Sequence, residues 1–421
     1  MQNKVIIIFF IITVIISSFT SCKTVTRLSH ENLYYLYDKT DYQFNPEYKI
    51  FHHSKDSGTL FFRISSDELY YTQDSEEEPF AAHYKIRYRL FDSYRDNVVT
   101  DSLTTYFSDA RFYKSGKNIS DSIVLALPDG ENHVMYLTMT DINRQTHSTN
   151  IITINKTGGG NIQYYKVYSV DDNKKDLMFS PMIKESGDYV LQYKDNISQT
   201  SYIDVYSAPQ PAALPPFADD PQHLYEMSPD TTFQIYFENG VAELFVNTTG
   251  LYHVRHDDEA TAGASLFYFH EGFPNIEDDK HKLYPLRYLT SSEEFEALIS
   301  YPDPADAVDI FWTTMAGTHH RGSVTVDRFY DNVQKANKYF TTWKQGWKTD
   351  RGMIYSVFGP PHHVTKDNQS EKWTYHGSWR IQQTEFHFQK TDAPLGKKCY
   401  VLERKSDYRN VWFQIVENIR R

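Results

Sequence analysis

Period-two alternation dominates the first 250 residues. In Tyr84-Lys85-Ile86-Arg87-Tyr88-Arg89-Leu90 every second residue is apolar or aromatic and the others are basic, the pattern of a strand with one solvated face. Similar runs occur at 60–64, 123–127, 134–139 and 151–154, with turn formers such as Ser115-Gly116 and Asp129-Gly130 between them. Short strands punctuated in this way predict an antiparallel β-sandwich over residues 48–157. Gly158-Gly159-Gly160 reads as a joint, after which a second strand series begins at 162–168 and continues at 189–193 and 202–206. Pro209, Pro211, Pro215 and Pro216 exclude a central strand and predict an extended linker. Asn239-Gly240 between 233–237 and 241–246 predicts a hairpin with a type I′ turn. This second β-sandwich-like unit spans 161–256 and is expected to close near Val254.

The period then changes. Ser291 and Glu294 have capping-box spacing ahead of Phe295 and Leu298. Val308, Phe311, Trp312 and Met315 fall on one helical stripe, as do Val326, Phe329, Tyr330, Val333 and Phe340. A third stripe, Tyr408, Val411, Trp412, Ile415 and Ile419, ends the chain. Runs at 353–358, 372–375, 385–388 and 400–402 read as strands between the helices. The expected fold is mainly β with a C-terminal α+β domain over 283–421.

The N-terminus adds an apolar run, residues 5–12 and 14–16, after the single basic residue Lys4. A membrane-spanning helix needs about 20 apolar residues, so the run predicts a signal peptide over 1–21. Phe19-Thr20-Ser21-Cys22 resembles the lipobox of bacterial lipoproteins, which implies cleavage before Cys22 and a lipid on its sulfur. Residues 22–47 then form a lipid-anchored tether entering the first β unit, with part of it short helix. Residues 23–27 lack an acidic cluster resembling a surface-export signal, so an outer-membrane, periplasm-facing location is expected.

Composition sharpens this picture in three ways. Only Cys399 remains once Cys22 is lipidated, so no intramolecular disulfide is expected; its apolar setting suits a buried strand residue better than a nucleophile. A net charge of -12 argues against nucleic acid as a partner. The 33 Tyr and 27 Phe suit half-buried pleated surfaces, or alternatively an exposed face that stacks on polysaccharide.

One motif is specific. Gly346-Trp347-Lys348-Thr349-Asp350-Arg351-Gly352, followed by Met353-Ile354-Tyr355-Ser356-Val357-Phe358-Gly359-Pro360-Pro361, closely resembles the signature of the GWxTD-domain proteins, Bacteroidota envelope proteins of unknown molecular function. Tyr284-Pro285-Leu286-Arg287-Tyr288, Phe311-Trp312 and Phe329-Tyr330 extend the resemblance over 283–421. Met315-Ala316-Gly317-Thr318-His319-His320 departs from the Arg-Asp-Pro-type segment that follows Phe-Trp in such proteins. Physically, Gly346 suits a left-handed helix cap. Gly352 suits positive φ ahead of a strand, and Thr349 and Asp350 suit bonds to turn amides. Trp347 is expected in a helix–strand seam, and Arg351 beside Asp350 or a carbonyl. Gly346, Trp347, Thr349, Asp350, Arg351, Gly352, Tyr355, Gly359, Pro360 and Pro361 are thus either architecture or a partner-binding site.

No catalytic constellation accompanies the motif. The adjacent pairs His52-His53, His319-His320 and His362-His363 lack zinc-site spacing, since neighbours on a strand face opposite ways. Asp327, Asp331 and Glu371 have no fixed separation, and Gly158-Gly159-Gly160 lacks the Lys-Ser/Thr of a phosphate loop. Neither metal nor cofactor is expected. The leading expectation is a non-enzymatic cell-envelope lipoprotein that binds a protein partner or belongs to an assembly. The alternatives are a polysaccharide-binding or glycan-processing protein, and an envelope chaperone or secretion accessory.

Overall fold

The computed structural model describes residues 27–40, 44–112, 116–157, 160–219, 227–257, 263–315, 319–377, 382–395 and 397–420. The expected signal peptide, Cys22 and most of Gly158-Gly159-Gly160 lie outside them, as does the segment of departure at 316–318. The chain is mainly β, with several antiparallel sheets and a helix-containing C-terminal region, as the sequence predicts.

The first seven strands are β1 (Glu47–His52), β2 (Ser57–Ser65), β3 (Phe80–Phe91), β4 (Asp101–Arg111), β5 (Asn118–Ala126), β6 (Asn132–Asp141) and β7 (Thr146–Asn155). They form one sheet ordered β1-β2-β5 and a second ordered β4-β3-β6-β7. Alternation decides which faces meet: Tyr84, Ile86, Tyr88 and Leu90 of β3 join Leu60, Phe62, Leu125 and Leu137 in one core.

Eight strands follow: β8 (Tyr165–Asp171), β9 (Lys174–Leu177), β10 (Gly187–Tyr193), β11 (Gln199–Tyr206), β12 (Thr231–Phe237), β13 (Val241–Val246), β14 (Gly250–Arg255) and β15 (Ala264–Tyr268). Their sheets are β13-β10-β8-β9 and β12-β11-β14-β15. Asn239 and Gly240 both take positive φ, +50° and +77°, as a type I′ turn requires. The predicted hairpin closes only at its turn pair, Glu238 and Val241, which exchange both backbone hydrogen bonds (2.8 and 3.0 Å); beyond it the strands part, β12 pairing with β11 and β13 with β10, in different sheets. Pairing along their whole length with β11 and β10 inside four-stranded sheets outweighs what a two-strand hairpin offers alone. The unit also continues past Val254, for β15 pairs with β14. Both strands are buried along their whole length. Tyr252 and Val254 face the sandwich core while Leu251 and Phe267 face Trp343, and two-sided burial removes the alternation that would have revealed them.

The C-terminal region contains α1 (Asp279–Leu283), α2 (Ser292–Ile299), α3 (Pro304–Met315), α4 (His319–Phe340), α5 (Asp350–Phe358), a four-stranded meander of β16 (His363–Lys366), β17 (Ser370–Tyr375), β18 (Thr384–Ala393) and β19 (Lys397–Leu402), and α6 (Tyr408–Arg420). The capping box of Ser291 and Glu294 is formed, and the helical stripes enter the core. Residues 353–358, expected as a strand, are helix. A short, mostly apolar run interrupted only by Ser356 carries no clear period, and the Thr349 cap before it and Gly359 at φ +76° after it select the helix.

The stretch expected to be a tether is packed at Leu28, Leu33 and Tyr37. Leu28, Leu33 and Tyr37 are buried in the C-terminal core together with Phe91, Tyr94 and Val134 of the first sheet pair. Leu33 N–H donates to the Val364 carbonyl (2.8 Å), and Ser29 N–H to that of Tyr94 (2.8 Å).

At the joint between the second sheet pair and the helices, His270 stacks on His281 of α1 with ring centroids 4.0 Å apart. Asp278, Lys280 and Lys348 are the charges that His281 feels besides His270. Burial, and then His270, lower its pKa from 6.5 to about 4. Above pH 6.5 the ring is neutral folded or unfolded; below it, only the unfolded chain takes the proton, so stability falls as pH falls through this window. Thermal melts at pH about 7 and about 5 should therefore show a lower midpoint in acid, and His281→Gln should reduce the difference.

Candidate functional site

The motif is built against the end of α4. Its first turn, a 3₁₀ turn at Gly346–Lys348, lies on Ala336 so closely that a Cβ on Gly346 would sit 2.0 Å from the Ala336 carbonyl oxygen. A Cβ on Gly352 would sit 1.8 Å from the carbonyl oxygen of Gly346. Neither glycine has the positive φ expected from sequence; both are required by backbone contact. Asn337 holds the turn from below, accepting from Trp347 N–H (3.2 Å) and donating to the Pro274 carbonyl (3.2 Å).

The polar side chains of Thr349, Asp350, Arg351 and Tyr355 each have an internal partner. Thr349 caps α5, accepting from Gly352 N–H (3.0 Å) and donating to the Gly346 carbonyl (2.7 Å). Asp350, expected to bond turn amides, instead accepts from Leu402 N–H (2.8 Å) of β19 and pairs with Arg404 (2.7 Å). Trp347 is buried as expected, with Tyr288 edge-on at 5.8 Å and donating to its carbonyl (3.1 Å). The Tyr375 hydroxyl donates to the Gly359 carbonyl (2.8 Å), Pro361 is buried and Pro360 half-buried.

Arg351 pairs not with Asp350 but with Glu371 (3.1 Å), and it also donates to the Tyr37 hydroxyl (3.2 Å). Its guanidinium lies 4.1 Å from the Tyr400 ring centroid and 4.9 Å from that of Phe340. Glu371 is 1% exposed; Lys366 approaches the same carboxylate at 3.4 Å and Trp373 Nε1 donates to it at 2.6 Å. Burial raises the Glu371 carboxyl, but Lys366, Arg351, Tyr37 and Trp373 together hold it below the ordinary range. Tyr355, also of the motif, donates to the backbone carbonyl of Tyr37 (2.7 Å). The motif thus meets the N-terminal segment through two of its side chains.

Of the carboxylates noted beside the motif, only Glu371 joins this cluster. Asp331 pairs with Lys335 (2.7 Å) on the exposed side of α4, and Asp327 is exposed on the same helix. Sequence reading missed Tyr37, Lys366, Tyr400 and Arg404. One signal was available: in Glu371-Lys372-Trp373-Thr374-Tyr375 the acid occupies the apolar register of the strand, where a charge needs a partner.

The histidine pairs do not converge. His52 is buried against the Asn155 carbonyl (3.1 Å) and Gln163 (3.2 Å), while His53 meets Thr59. His362 lies beside His376, tilted at 34° with 4.9 Å between centroids, and the side chains of His319 and His320 lie outside the described residues. Cys399 lies 3.3 Å from Thr391 Oγ1. Ser201 Oγ and His256 Nδ1 are 2.7 Å apart, with Tyr165 at 2.7 Å from Nε2. That spacing suits a nucleophile and its base, but Ser201 is 0% exposed in the sandwich interior.

The family model described as the GWxTD domain matches residues 250–421. It begins at Gly250, so it takes in β14 and β15 of the second sheet pair, upstream of the region the motif resemblance covers. No curated protein matches the chain. Among the solved structures that match is Bacteroides uniformis beta-glucuronidase 2 covalently bound to cyclophellitol-6-carboxylate aziridine, at 12% identity and a TM-score of 0.18. The match covers 34% of this chain and 15% of that one, so the chain spans a small part of that structure's length.

Two substitutions probe the geometry. Glu371→Gln would leave Arg351 and Lys366 buried without a counter-charge and should cost about 3–5 kcal/mol, read as a lower urea midpoint by tryptophan fluorescence; adding Arg351→Met should recover part of it. Gly352→Ala should cost at least about 1–3 kcal/mol, seen as a lower urea midpoint in the same assay, since the added methyl meets backbone rather than a movable side chain.

Proposed function

We propose that this chain, a GWxTD domain-containing protein through residues 250–421, is a non-enzymatic cell-envelope lipoprotein that serves as a protein-binding or assembly component. The observation that supports the reading is the junction of the motif with the N-terminal segment. Arg351 and Tyr355 hold Tyr37 by its hydroxyl and its carbonyl, and Leu28 and Leu33 are buried in the same core. Residues 23–27 alone separate Cys22 from Leu28. Fully extended, that span reaches at most roughly 20 Å. A lipid on Cys22 would therefore hold the GWxTD core close to the bilayer, on the periplasmic side of the outer membrane, with the two sheet pairs attached to it.

In this reading the motif transmits the anchor's position to the body rather than performing chemistry. Its carboxylate, hydroxyl and guanidinium are engaged by Arg404, Gly352 and Glu371. Among the described residues no helix is long and apolar enough to cross a membrane, and the acyl chains, at about 0.8 kcal/mol per buried methylene, supply the membrane affinity. The protein partner meets the remaining surface.

Metabolic labelling with a fatty-acid analogue should mark the wild-type protein and not Cys22→Ser, which should leave the membrane fraction. Crosslinking in intact cells should then recover one envelope protein reproducibly. An unlabelled wild-type chain, or a Cys22→Ser variant that stays membrane-bound, would refute the anchor. Turnover of an envelope substrate by the purified protein, abolished by alanine at one carboxylate, would refute the non-enzymatic role.

A further inference from the structure

A second cluster lies in the first sheet pair, apart from the motif and independent of the anchoring. The β3–β6 ladder pairs Phe91 with Val134. One step further, the same register sets Asp92 across from His133. Glu131 lies two residues before His133, on the same face of an extended chain, and its carbonyl continues the ladder by accepting from Lys156 N–H (3.2 Å). Asp92, Glu131 and His133 therefore converge by strand register alone, and one ligand atom of each lies within 4.8 Å of the others.

The histidine is what points to a ligand. His133 is 2% exposed, yet neither ring nitrogen makes a hydrogen bond, which leaves buried polar atoms without the partner that burial demands. Asp92 Oδ1 stands 3.4 Å from Nδ1 and Glu131 Oε2 3.9 Å from Nε2, both carboxylates being more than half exposed. A tetrahedral zinc site, with bonds near 2.0–2.2 Å, separates its ligand atoms by roughly 3.4 Å. One imidazole with two carboxylates suits a borderline divalent ion better than calcium or magnesium, whose ligands are all oxygen.

We propose that Asp92, Glu131 and His133 form a zinc-type divalent cation site at the start of β6, with His133 Nδ1 and the two carboxylates as ligands and a fourth position open to solvent. Glu131 reaches the ion by a rotamer change that its exposure permits. The neighbouring Phe91, Tyr94 and Val134 belong to the C-terminal core, and Arg95 pairs with Asp367 (2.7 Å). A bound ion thus clamps the loop after β3 where it meets that core.

Zinc chloride titrated calorimetrically into the mature full-length chain should show one site, and cobalt(II) in its place should give visible absorption of a tetrahedral centre. Asp92→Asn with Glu131→Gln, both exposed and safe for folding, should weaken zinc by more than about tenfold, and His133→Gln should abolish the site. Zinc should raise the melting temperature of the wild type and not of the double variant. Several results would overturn the assignment: no zinc uptake, equal binding by the double variant (placing the ion on others of the 17 histidines), or calcium competing as well as zinc. So would ring-nitrogen NMR that finds His133 a doubly protonated imidazolium held between the carboxylates in the presence of zinc.

Discussion

The burial of Glu371 constrains the C-terminal half more than any other single group. A carboxylate taken out of water costs several kcal/mol unless opposite charge and hydrogen bonds replace its hydration. Here the replacements come from four places in the chain: Arg351 on α5, Lys366 at the end of β16, Trp373 on its own strand and Tyr37 in the N-terminal segment. None can move far without exposing the charge imbalance of two cations and one anion in an apolar surround. The helix, the meander and the incoming chain are therefore fixed relative to one another by one electrostatic requirement, with Tyr400 and Phe340 shielding the guanidinium.

The glycines make that arrangement possible from the other side. Gly346 and Gly352 let the 3₁₀ turn, α4 and α5 approach at backbone contact, which brings Arg351 to the strand that carries Glu371. Trp347 and Tyr288 fill the space the turn leaves, and the Pro-rich linker closes the outside, Ala213 N–H donating to the Lys348 carbonyl (2.9 Å). The motif reads as a joint in which small residues set distance and polar residues set direction.

The sheet pairs are joined to this centre rather than strung before it. The loop after β3 places Tyr94 beside Lys366 (5.7 Å to the ring centroid), while β14 and β15 present one face to their own sandwich and the other to Trp343. The family model's start at Gly250 agrees with that shared face. The N-terminal segment from Leu28 and the C-terminal motif, distant in sequence, meet in one core.

Local pattern in the sequence determined the fold class, the alternating strands of the first sheet pair, the helical stripes and the Ser291 cap, because each depends on the periodicity of neighbouring residues. It also determined the type I′ turn at Asn239-Gly240, a matter of two residues' φ. Only the tertiary structure decided that the strands flanking this turn part to different sheets, that 353–358 are helical and that 264–268 complete a sheet, since these turn on which surfaces are available to cover an apolar run. The partners of Arg351, Asp350 and Glu371 were hidden for a related reason. Sequence shows that a charge on the apolar face of a strand must be paired, but the identity of the pairing group is set by three-dimensional proximity, and a chain of this length brings together residues such as Tyr37 and Glu371 that no local rule connects.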